Sequence, residues 1–421
     1  MTLFTDPFMQ WGAVVVFALA LMHTLSANRL HGLAAHYPKH AGVWHLLGEV
    51  EVVFGFWALM LVLLILGRHG QSAAIQYLES RQYVEPLFVF VIMVIAGTKP
   101  VLYFARRLVL SLAQCLPMRL STGMYLVTLA IVPLVGSLIT EPAAMTVAAL
   151  ILRSTVFTQK RSERFKYVSL AVLFVNISVG GTLSHFAAPP VLMVASKWAW
   201  DLPFMFNTFG WKAIVVVCIN AAAATIFFRH ELASSKHEYG NEGEPVPLIV
   251  GLIHLLFLVA VVVCAHHAVI FMALLLFFLG FVSAYPKHQH ALIFREALLV
   301  AFFLAGLVVL GGMQQWWLQP LLSNMESRTV FYAALMLTAV TDNAALTYLG
   351  SLVTGLSADF KVALVGGAVA GGGLTVIANA PNPAGVAILK DRFTGNAVSV
   401  GGLLLAAIPP TVVAALIFQL L

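Results

Sequence analysis

The chain has 421 residues, 61% hydrophobic and 10% charged, with a formal net charge of +6. Soluble domains carry about 25% charged residues, so this composition excludes one and marks a polytopic membrane protein. The pI near 9.3 then reflects Lys- and Arg-rich loops rather than a nucleic-acid partner.

Apolar segments long enough to cross a bilayer, or nearly so, run over about 11–27, 47–67, 86–105, 167–197 and 209–229. The second half of the chain repeats this at about 247–265, 268–285, 296–316, 361–390 and 399–420. The first run has Asp6 and no Lys or Arg ahead of it, unlike the basic leader of a signal peptide, and is expected to be a retained span. Residues 106–118 suit a helix lying at the interface or a buried connector. Two further segments, about 121–153 and 329–358, are too long for one crossing and too short for two, and each is interrupted near its middle. Each is expected to be a re-entrant hairpin, a shape tolerated at that depth only inside protein or beside a polar cavity. The stretch 230–246, with Glu231, Glu238, Glu242 and Glu244 among Gly, Asn and Pro, is expected to be a cytoplasmic linker.

Five spans precede the linker and five follow it. An odd number turns the second half upside down relative to the first, so the expected fold is an all-α membrane protein of two inverted repeats, 1–229 and 247–421. Each repeat has about five transmembrane helices, a re-entrant hairpin and a discontinuous helix. With the N-terminus outside, most loop cations, among them Arg106, Arg107, Arg161, Arg164 and Lys390, fall on the cytoplasmic side, as the positive-inside rule asks. Trp198, Trp200, Trp316 and Trp317 fall at expected outer boundaries, where aromatic belts form.

The two hairpins say nearly the same thing. One reads Thr140-Glu141-Pro142-Ala143-Ala144-Met145-Thr146, the other Thr341-Asp342-Asn343-Ala344-Ala345-Leu346-Thr347. Each is followed by a Gly-rich stretch with Pro, Gly180-Gly181-Thr182 to Pro190 and Gly371-Gly372-Gly373 to Pro383. A carboxylate at membrane depth costs about 2.5 kcal/mol or more and marks an ion or proton path. Glu49, Glu51, Glu141 and Asp342 are the acids that fall inside apolar segments. Buried acids also serve as structural partners of bases, a role open to Glu49 and Glu51, which sit two apart and cannot share one helix face. Glu141 and Asp342 sit at hairpin breaks, where helix ends leave backbone groups free to bind ions.

Gly and Pro interrupt the helices that follow and release backbone groups; glycines also let membrane helices pack closely. Asn176, Ser178, Thr182 and Ser184 supply oxygens in the first copy, and Thr375, Asn379 and Asn382 in the second. Thr140, Thr341 and Asn343 stand beside the acids. An all-oxygen set suits a hard cation. His185 lies in the first broken stretch and is a possible titrating group or a satisfied buried histidine. Lys99, deep in the third span, is a possible partner for an intramembrane acid, or snorkels to the surface. Cys115, Cys218 and Cys264 have no CxxC spacing, and no HExxH pattern is present, so neither a redox pair nor a zinc site is expected.

Leu47-Gly48-Glu49-Val50-Glu51, the two acid-bearing hairpins, and Asn176-Ile177-Ser178-Val179-Gly180-Gly181-Thr182 through Ala187-Ala188-Pro189-Pro190 resemble the ion transporter superfamily. Within it the chain is most similar to the sodium/proton antiporters of the NhaD type. The resemblance implies hairpin tips that meet near the midplane, a homodimer and an elevator-like shift. Organic-acid carriers of that superfamily have Ser-Asn-Thr at the tips; acids at Glu141 and Asp342 would repel a dicarboxylate and favour a cation.

The expected function is therefore Na⁺/H⁺ exchange in a bacterial inner membrane, with Na⁺ held by Asp342 and Glu141 and displaced when they are protonated. Burial brings carboxyl titration towards neutral pH, where that competition is useful. No cofactor is expected; Na⁺ and H⁺ are cargo. The alternative is a cation-coupled symporter for an organic or inorganic anion. An intramembrane aspartyl protease would need a Glu141–Asp342 dyad, and no GxGD pattern accompanies it.

Overall fold

The computed structural model describes residues 3–157, 161–233 and 245–421, with the backbone alone at 27–36, 38, 41, 45, 50 and 51. Most of the expected linker (234–244) and the side chain of Glu51 lie outside the described residues. Among the described residues every regular element is helical.

In order these are α1 (Pro7–His36), α2 (Ala41–Gly48), α3 (Val50–Glu79), α4 (Val84–Ala96), α5 (Lys99–Cys115), α6 (Leu120–Ile139) and α7 (Glu141–Thr155). Then come α8 (Glu163–Gly180), α9 (Pro189–Trp198), α10 (Leu202–Met205), α11 (Trp211–Phe227) and the short α12 (Arg229–Ala233). The second half contributes α13 (Leu248–Val263), α14 (Ala268–Ala284), α15 (Phe294–Gly311), α16 (Gln315–Leu322) and α17 (Ser327–Thr338). It closes with α18 (Asn343–Ser351), α19 (Ala358–Gly371), α20 (Asn382–Leu389) and α21 (Val400–Leu420). Starts are capped by short polar side chains that satisfy the first free N–H groups. Ser162 accepts from Phe165 N at 3.1 Å, Asp201 from Phe204 N at 2.8 Å and Ser357 from Phe360 N at 3.1 Å.

Seven helices are long and apolar enough to cross a membrane, eight if the bent pair α4–α5 counts as one span. The protein is thus an all-α, integral, multi-pass membrane protein. Two expected spans, now α13 and α14, are apolar but shorter.

The third expected span is broken. The chain bends by 68° between Ala96 and Lys99, because Pro100 lacks an N–H for the helical ladder and disfavours helical backbone before it. Lys99 is the half-buried first residue of α5, directly after that bend. It makes no ion pair among the described residues. Helix α5 takes in the 106–118 stretch and packs against α6, α7 and α13.

Two large apolar cores, beside a small cluster between α17 and α19, organise the helices, and both draw on the two halves of the chain. One is built from α1, α3, α4, α13, α14 and α15. The other is built from α6, α7, α8, α11, α17, α19 and α21. In the first, α3 and α15 cross with almost no side chain between them: a Cβ on Gly306 would lie 2.5 Å from Gly55 N.

At the edge of that core Asp6 ties the start of α1 to α3, accepting from Arg68 Nε at 3.2 Å, His69 Nε2 at 3.1 Å and Phe8 N at 3.0 Å. Burial opposes its charge, but Arg68, the Phe8 N–H and His69 together hold its carboxyl below the ordinary carboxylate range. A lowered folded value means stability that is present above the unfolded value and lost as pH falls through the folded one. Asp6→Asn is expected to lower the thermal unfolding midpoint at pH 7. The gap to wild type should close as pH falls below about 4, near the unfolded aspartate value.

Candidate functional site

Helix α6 stops where Thr140 adopts φ +78° and ψ 150°, and α7 starts at once with Glu141 and Pro142. Positive φ is a true outlier for a β-branched residue, and such strain concentrates at functional sites. The turn lets α6 and α7 pack on each other. It leaves Glu141 at the α7 N-terminus, where the helix dipole favours negative charge. Glu141 is fully buried. Its Oε2 accepts from Asn379 Nδ2 at 2.7 Å, and its Oε1 has no partner among the described residues.

The second copy is built differently. Asp342 is 8% exposed and caps α18, its Oδ1 accepting from Ala344 N at 2.8 Å and Ala345 N at 3.2 Å. Helices α17 and α18 are both short, whereas α6 is by itself long and apolar enough to cross. The two helix pairs thus differ in length, α6–α7 running over 120–155 and α17–α18 over 327–351.

Both helix breaks converge on these acids. Helix α8 ends at Gly180, turns at Gly181–Leu183 and resumes as α9. Gly181 lies against the Glu141 side chain, where an added Cβ would be 2.8 Å from Cγ. The second break, 372–381, packs on the last turns of α8 at Gly372 and Gly373. A Cβ on Gly373 would lie 2.5 Å from Val175 N, and one on Gly372 would lie 2.9 Å from Asn343 Nδ2. These glycines serve close approach and broken backbone at once. The Asn343 N–H donates to Ala378 O at 3.1 Å, and Asn343 Nδ2 donates to Ser178 Oγ at 3.4 Å. Ser178 in turn donates to Val369 O at 2.8 Å. Asn379, one residue after Ala378, is the partner of Glu141. Glu141, Asn343, Ser178 and Asn379 thus gather where the second break packs on the end of α8, with Asp342 next to Asn343 in the chain.

Polar groups there remain unsatisfied. Thr140 Oγ1, Glu141 Oε1, Asn343 Oδ1, Asn379 Oδ1 and Asn382 Oδ1 are buried without a hydrogen-bond partner among the described residues. An unpaired buried polar atom costs about 1–3 kcal/mol. Five of them in one region, all oxygens, form a surface suited to a hard cation rather than to a soft metal or an anion. Asn382 uses its amide N–H groups to hold the break open, donating to Gly372 O at 2.8 Å and Thr375 O at 2.9 Å.

Other expected site residues spend their polar atoms on structure. Asn176 donates to Leu129 O and Val217 O at 2.9 and 3.2 Å and accepts from Asn220 Nδ2 at 3.0 Å. Thr182 donates to Val179 O within its own turn, Thr375 to Ala339 O, and Ser184 to Ser137 O. Thr341 is half-buried beside Asp342. Glu49 pairs with Arg295 at the junction of α2 and α3. His185 stands apart, its ring stacked 6.3 Å from that of His266, and lines a cleft with Glu85 and Ser196.

Sequence reasoning missed Ser137, whose Oγ donates to Gly180 O and accepts from Leu183 N, fixing the first break to α6. It also missed Asn220, which joins Asn176 to Pro410 O. Both were visible only as lone polar residues in apolar runs.

The family model described as "Putative Na+/H+ antiporter" matches residues 8–421. No curated protein matches the chain.

Proposed function

The chain belongs to that Na⁺/H⁺ antiporter family, a family of membrane transporters rather than enzymes, and from this premise we propose that it exchanges Na⁺ for H⁺ at Glu141 and Asp342. Cation/proton antiport is the function of the family; the carboxylate site is our reading. The observation that carries it is the group of unpartnered buried oxygens around two acids where two broken helices pack together. Na⁺ binds there when the acids are ionised. Glu141 Oε1 and the amide oxygens of Asn343, Asn379 and Asn382 complete its shell, with Thr140 Oγ1 beside them. A proton taken up by either carboxylate removes the charge that holds the ion, so the two cargoes compete.

The same proposal includes two inverted repeats with re-entrant hairpins, the NhaD-type relationship, a cytoplasmic linker and a homodimer. Reciprocal packing supports the repeats: α7 of the first half packs on α20 of the second, and α18 of the second packs on α9 of the first. That reciprocity is what a two-fold relation between inverted repeats requires. The family match favours exchange over the symport of an anion.

In proteoliposomes the purified protein is expected to dissipate an imposed pH gradient on addition of Na⁺ and not of an anion series at constant cation. Thermal stabilisation should follow the same order. Stabilisation by an organic or inorganic anion, with none by Na⁺ or Li⁺, would overturn the exchange reading.

A further inference from the structure

We propose that a groove remote from the exchange site binds an anionic glycerophospholipid of the phosphatidylglycerol class. It lies where α17 and α19 begin and α21 ends, a set of termini that marks a membrane boundary, beside the π-helical turn Phe206–Gly210 that joins α10 to α11. The groove holds about 320 Å³, at the lower end of the ~300–1,000 Å³ typical of small-molecule pockets.

Its lining is amphipathic in the sense a lipid needs. Phe209 and Phe331 form a buried apolar floor, each 1% exposed, and Phe418 forms a side wall. Lys212 and Arg328 stand on the rim with Asp359. Neither cation has an ion-pair partner among the described residues. The rim carries two positive charges and one negative, so a phosphate diester brings it to neutrality. Asp359 then accepts hydrogen bonds from the hydroxyls of a glycerol head. Lys212 also lies over the Trp211 ring, 5.8 Å from its centroid, as boundary cations and aromatics do. The α17 N-terminus beside Arg328 has no side-chain cap, leaving its first N–H groups for a phosphate oxygen.

Charge complementarity selects the occupant. A soluble phosphate would use the rim and leave the partly exposed Phe418 wall in water, whereas a phospholipid covers both. The volume takes the head and the start of one chain; the rest of the chain follows the apolar outer face of α21.

The test uses the full-length protein in a neutral detergent. Added phosphatidylglycerol is expected to raise the unfolding midpoint by about 3 °C more than phosphatidylcholine at saturating lipid, and inorganic phosphate should do nothing. The double variant Lys212→Gln, Arg328→Gln should unfold at the wild-type temperature without lipid and lose the phosphatidylglycerol shift. It should keep its response to Na⁺, which separates this site from the exchange site. A double variant that keeps the full shift would overturn the proposal. So would an equal shift with phosphatidylcholine, or one reproduced by phosphate alone. A double variant already unfolded without lipid would be replaced by Lys212→Gln alone, which must halve the shift or more.

Discussion

Glu141→Gln and Asp342→Asn, made singly, are each expected to lower Na⁺-driven dissipation of a pH gradient by about 100-fold while leaving the protein folded. A contact to a charged group is worth roughly 1.5–3 kcal/mol, and each 1.4 kcal/mol is a factor of ten. The amides keep the geometry. Glutamine at 141 still presents an oxygen to Asn379 Nδ2, and asparagine at 342 still caps α18, since Asn is as good an N-cap as Asp. What they remove is the charge and the proton. Asp342→Ala would add loss of the cap, about 1 kcal/mol, and should show both a transport defect and a lower unfolding temperature. Wild-type gradient dissipation in either amide variant, measured in everted vesicles at matched expression, would remove the carboxylate from the mechanism.

Gly306→Ala is expected to destabilise the fold without touching the acids. Its methyl group would sit 2.5 Å from Gly55 N and from Phe54 C, atoms of the α3 backbone that no rotamer change can move aside. Overpacking of this kind costs about 1–3 kcal/mol. Gly280→Ala in α14 is the matched control, because an added Cβ there meets nothing within 4 Å. It should be neutral or stabilising by up to about 1 kcal/mol, the usual gain from replacing a mid-helix glycine. Equal unfolding temperatures for the two variants would mean that α3 and α15 do not cross closely.

The acids and the breaks were legible in the sequence because both violate the surrounding pattern: a lone carboxylate in an apolar run, then Gly and Pro in a segment otherwise fit to be helical. Their partners were not. Glu141 meets Asn379 238 positions away, and nothing local distinguishes Asn379, which faces the acid, from Asn176, which is spent on backbone carbonyls. The bend beside Lys99 was hidden for a related reason. Hydropathy runs unbroken from α4 into α5, and the bend there comes from backbone restriction at Pro100, to which hydropathy is blind. The division into two cores was equally hidden. It depends on which helices approach closely, and glycine pairs such as Gly55 and Gly306 carry no label of their partner.

Residues next to the acids belong to the other core: Ile139 and Ala143 beside Glu141, and Ala344 and Ala345 beside Asp342, pack with α1, α3, α4, α13, α14 and α15. Most of that seam is hydrocarbon, and dispersion between such surfaces has no preferred direction. It is pinned at one place, where Tyr348 Oη of α18 donates to Val308 O of α15 at 3.1 Å and the phenol ring lies on Gly311. The segment that carries Asp342 is therefore keyed to α15 by a single ring seated in a glycine notch.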